Sequence, residues 1–112
     1  MVPAAHRLRS RKDFTIALQG VRARVGPVVV HLGSRGDDLG PRIGFIANRH
    51  VGGSVVRHRV VRRLRAASAQ AIDHLPRGTN LVVRALPAAA SQSYGELAAA
   101  FNKALARLDL PQ

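Results

Sequence analysis

The chain has 112 residues, 46% of them hydrophobic, which is enough for one modest core in a single domain over residues 1–112. A net charge of +12 opposes compaction by self-repulsion and favours a polyanionic partner, with RNA, DNA and an anionic membrane all open on this evidence. The absence of cysteine excludes disulfides, thiolate zinc sites and cysteine nucleophiles.

The N-terminus turns basic before any apolar run of signal-peptide length. No later segment approaches the ~20 apolar residues that a membrane span needs. The sequence therefore predicts a cytoplasmic protein without a membrane partner, and residues 1–6 are expected to form a flexible tail.

The first predicted helix covers residues 11–19 and ends at Gly20. Ser10 and Asp13 have a spacing like that of a capping box, and an apolar side follows: Phe14, Ala17 and Leu18. Strands are predicted at residues 21–24, 28–32 and 42–48, and the Gly- and Asp-rich segment 33–41 is predicted to be a loop.

A long helix is predicted to begin at Ser54 as its N-cap and to end near Ile72. A last strand over residues 81–86 follows, and a terminal helix begins at the capping box of Ser93 and Glu96. The predicted order is α-β-β-β-α-β-α.

Alternation in the third strand predicts two faces. Ile43, Phe45 and Ala47 should point toward the helices. The open face should then carry Gly44, Ile46, Asn48, Val29 and His31.

The long helix combines an apolar stripe with unpaired cations. Its apolar residues recur at helical spacing: Val56, Val60, Leu64, Ala67 and Ala71. The wheel places Arg59, Arg62, Arg65 and His58 opposite this stripe, with Arg57 and Arg63 at its borders. An ordinary solvated face would carry mixed charges, yet no carboxylate occurs between Asp38 and Asp73. The pattern favours nucleic-acid binding. The side chains of the apolar stripe are too small for a helix that lies on a membrane surface.

A self-sufficient nuclease is disfavoured. Asp37-Asp38 and Asp73-His74 supply no cluster of carboxylates or histidines for metal-assisted cleavage, and they are interpreted as turn and C-cap residues. No catalytic residue and no metal site is predicted in this chain.

The basic segment resembles the signature of the bacterial ribonuclease P protein component, Lys/Arg-x-x-Gly-x-(Ala/Ser)-Val-x-Arg-Asn-Arg-x-Lys-Arg-x-x-Arg. The matching positions are Arg49, Gly52, Ser54, Val55, Arg57, His58, Arg59, Arg62 and Arg65. The similarity extends, in order, to residues 8–14, 41–45, 81–85 and 93–97.

The resemblance implies an α+β fold, an α/β sandwich with a left-handed β-α-β crossover that certain ribosomal-protein and translocase domains share. It implies an accessory protein subunit of an endoribonuclease whose RNA subunit requires Mg²⁺ and removes the 5′ leader of precursor tRNA. The protein itself is expected to bind no cofactor. Its implied partners are the catalytic RNA, in a 1:1 complex with a monomeric protein, and precursor tRNA.

The resemblance also assigns residues to two RNA surfaces. Binding of the RNA subunit is assigned to Arg49, Arg57, His58, Arg59, Arg62, Arg63 and Arg65. Binding of the 5′ leader is assigned to Arg11, Lys12, Phe14, Leu18, His31, Ile46, Asn48 and Arg84.

Two departures from the family pattern stand out. His58 replaces the usual Asn, and His31 falls where the family often has Tyr. We expect a leader cleft with fewer rings to depend more on charge. On residue chemistry alone, a structural RNA-binding protein such as a ribosomal protein is an alternative function.

Overall fold

The computed structural model describes residues 6–108, in which a four-stranded sheet lies between helices. The elements are α1 (Arg11–Leu18), β1 (Val21–Val25), β2 (Val28–Ser34), β3 (Arg42–Ile46), α2 (Ser54–Ser68), β4 (Thr79–Ala85) and α3 (Tyr94–Arg107). Short 3-10 helices occupy Ala71–His74 and Pro87–Ser91. The predicted α+β class and element order are confirmed. Residues 1–5 of the predicted tail lie outside the described range, and His6 Nδ1 donates to the Pro41 carbonyl oxygen at 2.7 Å.

The strands lie in the order β1-β2-β4-β3, so β1 and β3 are the two edges of the sheet. β1 pairs with β2, and β2 with β4, in antiparallel register. β3 and β4 are parallel, and α2 connects them as a β-α-β unit.

One face of the sheet is covered by α2 and α3. Alternate strand residues such as Val30 and Val83 point into this layer, where Leu64 of α2 and Phe101 of α3 are fully buried. Burying each large apolar side chain contributes ~1.5–3 kcal/mol, so this layer is the main source of stability.

Helix α1 lies on the other face of the sheet, where it packs directly against glycine residues. A Cβ at Gly33 would overlap the Ile16 carbonyl oxygen, and one at Gly44 would overlap the Phe14 ring. Close approach buries Ala17 against the sheet in a second small cluster. Because α1 spans eight residues, it covers only part of this face; we call the face that carries α1 the open face.

Several predicted bounds of α2 and its neighbours were wrong by a few residues. The N-cap of α2 is Gly53, in extended conformation, while Ser54 is the first helical residue and makes no capping bond. The helix ends at Ser68 rather than Ile72, because the chain tightens into a 3-10 helix that buries Ile72. β3 ends at Ile46, two residues before the predicted end, since the Asn48 carbonyl oxygen already accepts a turn bond from Val51 N at 3.0 Å.

Candidate nucleic-acid interface

The buried side of α2 differs at one position from its predicted stripe. Val60 and Leu64 are fully buried as predicted. Ser68 is also fully buried, whereas Ala67 is half-buried. Ser68 can be buried because its hydroxyl donates to the Arg65 carbonyl oxygen at 3.1 Å.

A groove of about 500 Å³ runs between α2 and the end of β3; we call it the α2 groove. Its lining residues are Phe45, Ala47, Ser54, Arg57, His58, Val61, Arg62 and Arg65. The Arg65 guanidinium carbon lies 5.4 Å from the centroid of the Phe45 ring, within cation–π range. No acidic residue lines the groove, so its electrostatic potential has one sign.

Arg59 and Arg63 form a second row on α2. Four residues apart, they lie on the same side of the helix and meet the end of the Pro87–Ser91 turn. Arg59 donates to the Ala90 carbonyl oxygen at 3.1 Å and Arg63 to that of Gln92 at 2.7 Å. Arg59 is therefore half-buried against the chain, and not opposite the apolar stripe as the helical wheel predicted.

Arg49 is exposed in the loop between β3 and α2. Asn48 shapes this loop, because its side-chain oxygen accepts from the His50 N–H at 3.0 Å. Asn48 is one of the residues assigned to the leader, and this bond already uses its side-chain oxygen.

The open face is a grid of side chains set by strand register. One row joins Arg22 of β1, His31 of β2 and Val82 of β4. The next row is Arg24, Val29, Arg84 and then Ile46 of β3. His31, Ile46 and Arg84, all predicted for the leader, therefore share one face.

The α1 residues assigned to the leader border this face. Arg11 and Lys12 are exposed, and Leu18 is 42% exposed. Phe14 packs into the small cluster with Ala17, so part of its ring serves the fold.

His31 is only 4% exposed, and neither ring nitrogen has a hydrogen-bond partner. Burial, followed by the positive charges of Arg84 and Arg22, lowers the pKa of this imidazole. The ring is therefore held neutral beside two guanidinium groups.

Three cationic or aromatic residues at these sites escaped the sequence assignment: Phe45, Arg22 and Arg24. Phe45 was placed correctly toward the helices, but its contact with Arg65 depends on a pairing between elements that spacing does not show. Arg22 and Arg24 could have been found, because strict alternation in Val21–Val25 puts both on the face opposite Ala23.

The described acidic residues serve the fold. Asp13 pairs with Arg42 at 3.4 Å, and Asp37 with the buried Arg35 at 3.0 Å, which lowers the pKa of Asp37 through its hydrogen bond. Within residues 6–108, no three His, Asp or Glu side chains are grouped as a metal site. None of the helices in that range is long and apolar enough to cross a bilayer.

Comparison with known proteins agrees with this geometry. The chain matches the Ribonuclease P family over residues 2–109. It is 46% identical to the ribonuclease P protein component of Acidothermus cellulolyticus, covering 96% of this chain and 92% of that protein. It is 43% identical to that of Rhodococcus opacus, covering 98% and 94%.

Solved structures share the fold. The Staphylococcus aureus RNase P protein superposes with a TM-score of 0.83 at 19% identity, covering 95% of this chain and 97% of that one. The Thermotoga maritima RNase P protein gives 0.76 at 22% identity, covering 92% and 97%. From the family match and the close relatives together, the chain belongs to the ribonuclease P protein family, the accessory subunits of a tRNA-processing endoribonuclease.

Proposed function

We propose that this chain binds the RNA subunit of ribonuclease P through the α2 groove. The observation that carries the proposal is a cationic groove without any acidic lining residue, closed on one side by the Arg65–Phe45 pair. Phosphates supply the charge that the helix lacks, and the aromatic ring supplies a face for a base or ribose. Arg57, His58, Arg62 and Arg65 line the groove and are the proposed contacts, together with exposed Arg49 in the loop before α2.

Arg59 and Arg63 have a different proposed part. Each already donates to a backbone carbonyl of the β4–α3 connection. A guanidinium has five N–H donors, so both retain donors for RNA while they fix the helix in place. Their assignment to RNA binding stays a prediction.

The 5′ leader of precursor tRNA is proposed to cross the open face. Leu18 and Ile46 offer apolar surface there, Arg84 offers charge, and Arg11 and Lys12 flank the entry from α1. Asn48 and the partly packed Phe14 lie at the margin. The neutral His31 lies in the same grid and can donate or accept one hydrogen bond if a base displaces its neighbours.

The chain is proposed to act as a monomer in a 1:1 complex with the RNA, in the bacterial cytoplasm. Cleavage is assigned to the RNA subunit and its Mg²⁺, and the protein is proposed to contribute through its RNA contacts.

Reconstitution tests this function. Purified protein is added to ribonuclease P RNA and precursor tRNA at low magnesium, and release of the leader is measured. We expect the protein to accelerate cleavage, because its cations replace counterions on two closely packed RNAs. Unchanged cleavage contradicts the proposal, as does cleavage by the protein without RNA.

A matched pair of variants separates the two surfaces. Arg62→Gln alters the α2 groove. It should weaken binding of the protein to the RNA subunit, whether the assay contains precursor tRNA or mature tRNA. Arg84→Gln alters the open face and should weaken binding of precursor tRNA alone. An identical pattern in both variants contradicts the division into two surfaces.

A further inference from the structure

Three arginines surround a small cavity on the open face. The cavity measures about 270 Å³ and is lined by Arg22, Ala23, Arg24, Val29, Arg84 and Leu86. Arg24 pairs with Val29, and Val29 pairs with Arg84, so the two arginines flank one valine on the same side of the sheet. Their Cα atoms are two strand spacings apart, ~10 Å, which long side chains can close. We call this group of three arginines the β1 arginine site.

The charge of the β1 arginine site is not neutralised within the described chain. The ion pairs of residues 6–108 join other arginines to these acids: Asp13, Asp37 and Asp38. Arg84 Nε is buried without a hydrogen-bond partner, although a buried donor is normally paired. Arg24 Nε donates to the Gly26 carbonyl oxygen at 3.0 Å, which holds that guanidinium beside the cavity. The three arginines of the site therefore have no acidic partner among residues 6–108.

Phosphate is the anion that fits best. Guanidinium groups bind phosphate oxygens in paired, charge-assisted hydrogen bonds, and three of them around one apolar floor can enclose such a group. Arg22 lies opposite His31 in the strand register, and after burial both Arg84 and Arg22 contribute to the lowered pKa of that imidazole.

The site lies at the far edge of the sheet from the α2 groove. Phe45 of that groove is on β3, whereas Arg22 and Arg24 are on β1, the opposite edge. In the proposed function the leader starts beside the RNA subunit, and from there it crosses β3, β4 and β2 before it reaches these two arginines. Only a leader of sufficient length can make this contact.

We propose that the β1 arginine site binds a backbone phosphate of the 5′ leader, at a nucleotide farther from the cleavage site than those that cross β3 and β4. This inference rests on the proposed function, in which the leader occupies the open face. It assigns Arg22 and Arg24 to substrate binding and limits their contribution to leaders long enough to reach β1.

The test measures dissociation constants of the reconstituted holoenzyme for precursor tRNAs whose leaders grow by one nucleotide at a time. The variant is Arg22→Gln with Arg24→Gln; both side chains are exposed, so the fold should survive. The matched control is Arg77→Gln with Lys103→Gln, which removes two exposed charges outside the open face. Thermal unfolding checks that both variants are folded.

We expect wild-type affinity to rise once the leader reaches β1, and the Arg22/Arg24 variant to lose about tenfold for those long leaders only. The slope of log affinity against log salt should also become shallower by about 0.7, the value for one phosphate on a single strand. The control variant should keep the wild-type rise in affinity with leader length. Its salt slope should differ from that of the wild type only by the effect of the lower net charge.

Three results overturn the inference. If the variant keeps the wild-type gain for long leaders, the site does not bind the leader, while the proposed function stands. If the variant loses affinity equally for the RNA subunit or for mature tRNA, the phosphate belongs to another RNA. If wild-type affinity does not depend on the leader at all, the proposed leader surface fails together with this site.

Discussion

At the scale of single residues, His31 makes the stability of the folded protein depend on pH. In the unfolded chain its pKa is the ordinary 6.5, but burial and then Arg84 and Arg22 lower the pKa in the folded protein. The folded protein therefore binds fewer protons than the unfolded chain just below that pH. Stability from this group is complete above pH 6.5 and is lost as the pH falls toward the lowered pKa.

We predict that His31→Phe flattens this part of the pH dependence, because the ring is retained and the titration is removed. The measurement is the free energy of unfolding in urea across pH values from about 8 to about 5. Stability that falls as steeply in the variant as in wild type contradicts the assignment.

Arg62 and Arg63 are neighbours in the chain with different surroundings. Arg62 is exposed and lines the α2 groove, while Arg63 is half-buried on the Gln92 carbonyl. We predict that Arg62→Gln weakens RNA-subunit binding about tenfold and changes stability by less than ~0.5 kcal/mol. Arg63→Gln should instead lower the free energy of unfolding by ~1 kcal/mol.

Filter binding and urea unfolding on both variants check this contrast. Each variant is the other's control, because each loses one positive charge from the same helix. Equal losses of affinity with unchanged stability in both would show that Arg63 acts as a direct RNA contact and not as a tie.

At the scale of elements, the close packing of α1 on glycine shapes the proposed leader cleft. A Cβ on Gly33 would overlap backbone atoms of α1, which cannot rotate away as a side chain can. We predict that Gly33→Ala displaces α1, lowers the free energy of unfolding by ~1–3 kcal/mol and weakens binding of precursor tRNA. RNA-subunit binding should persist, because α2 packs on the other face.

The control for this substitution is Gly95→Ala in the first turn of α3. A Cβ there would meet no atom closer than 3.9 Å, so the change should stabilise the helix by up to ~1 kcal/mol. The same chemical change is thus expected to have opposite signs at the two glycines. Loss of stability at Gly95, or none at Gly33, contradicts the packing argument; urea unfolding measures both.

Local signals in the sequence predicted the elements well. Ser10 accepts from the Asp13 N–H at 3.1 Å, and Ser93 with Glu96 forms a complete capping box, both as expected. Alternation in β3 also placed Ile43 and Gly44 on the correct faces. These features depend on residues a few positions apart, which is what sequence patterns report.

Features that depend on distant pairings were not predictable in this way. The Arg63–Gln92 bond joins α2 to the β4–α3 connection, and the β1 arginine site needs the register of three strands. The burial of Ser68 was also missed, since a serine looks unsuited to burial until its hydroxyl bond to the helix backbone is known.

At the scale of the whole molecule, the layout is two cationic surfaces on opposite sides of one thin sheet. The α2 groove lies in the helical layer, and the open face lies behind it, with β3 as the shared edge. One RNA can therefore approach each side of the protein without competing for the same residues. This arrangement suits the proposed function, in which the protein holds the RNA subunit and its substrate together.

The same excess of positive charge makes the stability of the RNA-free protein depend on salt concentration. Basic residues number 18 against six acidic ones, and the described ion pairs use only three acids. The radius of gyration is 12.9 Å, so most pairs of cations in the molecule lie within the ~30 Å Debye length of 0.01 M salt and repel each other. At physiological ionic strength that length is ~8 Å, so much of the repulsion is screened.

We predict that the melting temperature of the RNA-free protein rises as sodium chloride increases from about 0.01 M to about 0.15 M. Salt also weakens the exposed ion pairs, but each contributes only ~0–1 kcal/mol, while the repulsion acts among all unpaired cations. Relief of repulsion should therefore exceed the loss of attraction. Differential scanning calorimetry at constant pH measures the shift, and the Lys103→Gln variant, which has one fewer charge and keeps all the described ion pairs, should show a smaller one. A melting temperature that falls with salt would mean that the few ion pairs, rather than the net charge, dominate the electrostatics of folding.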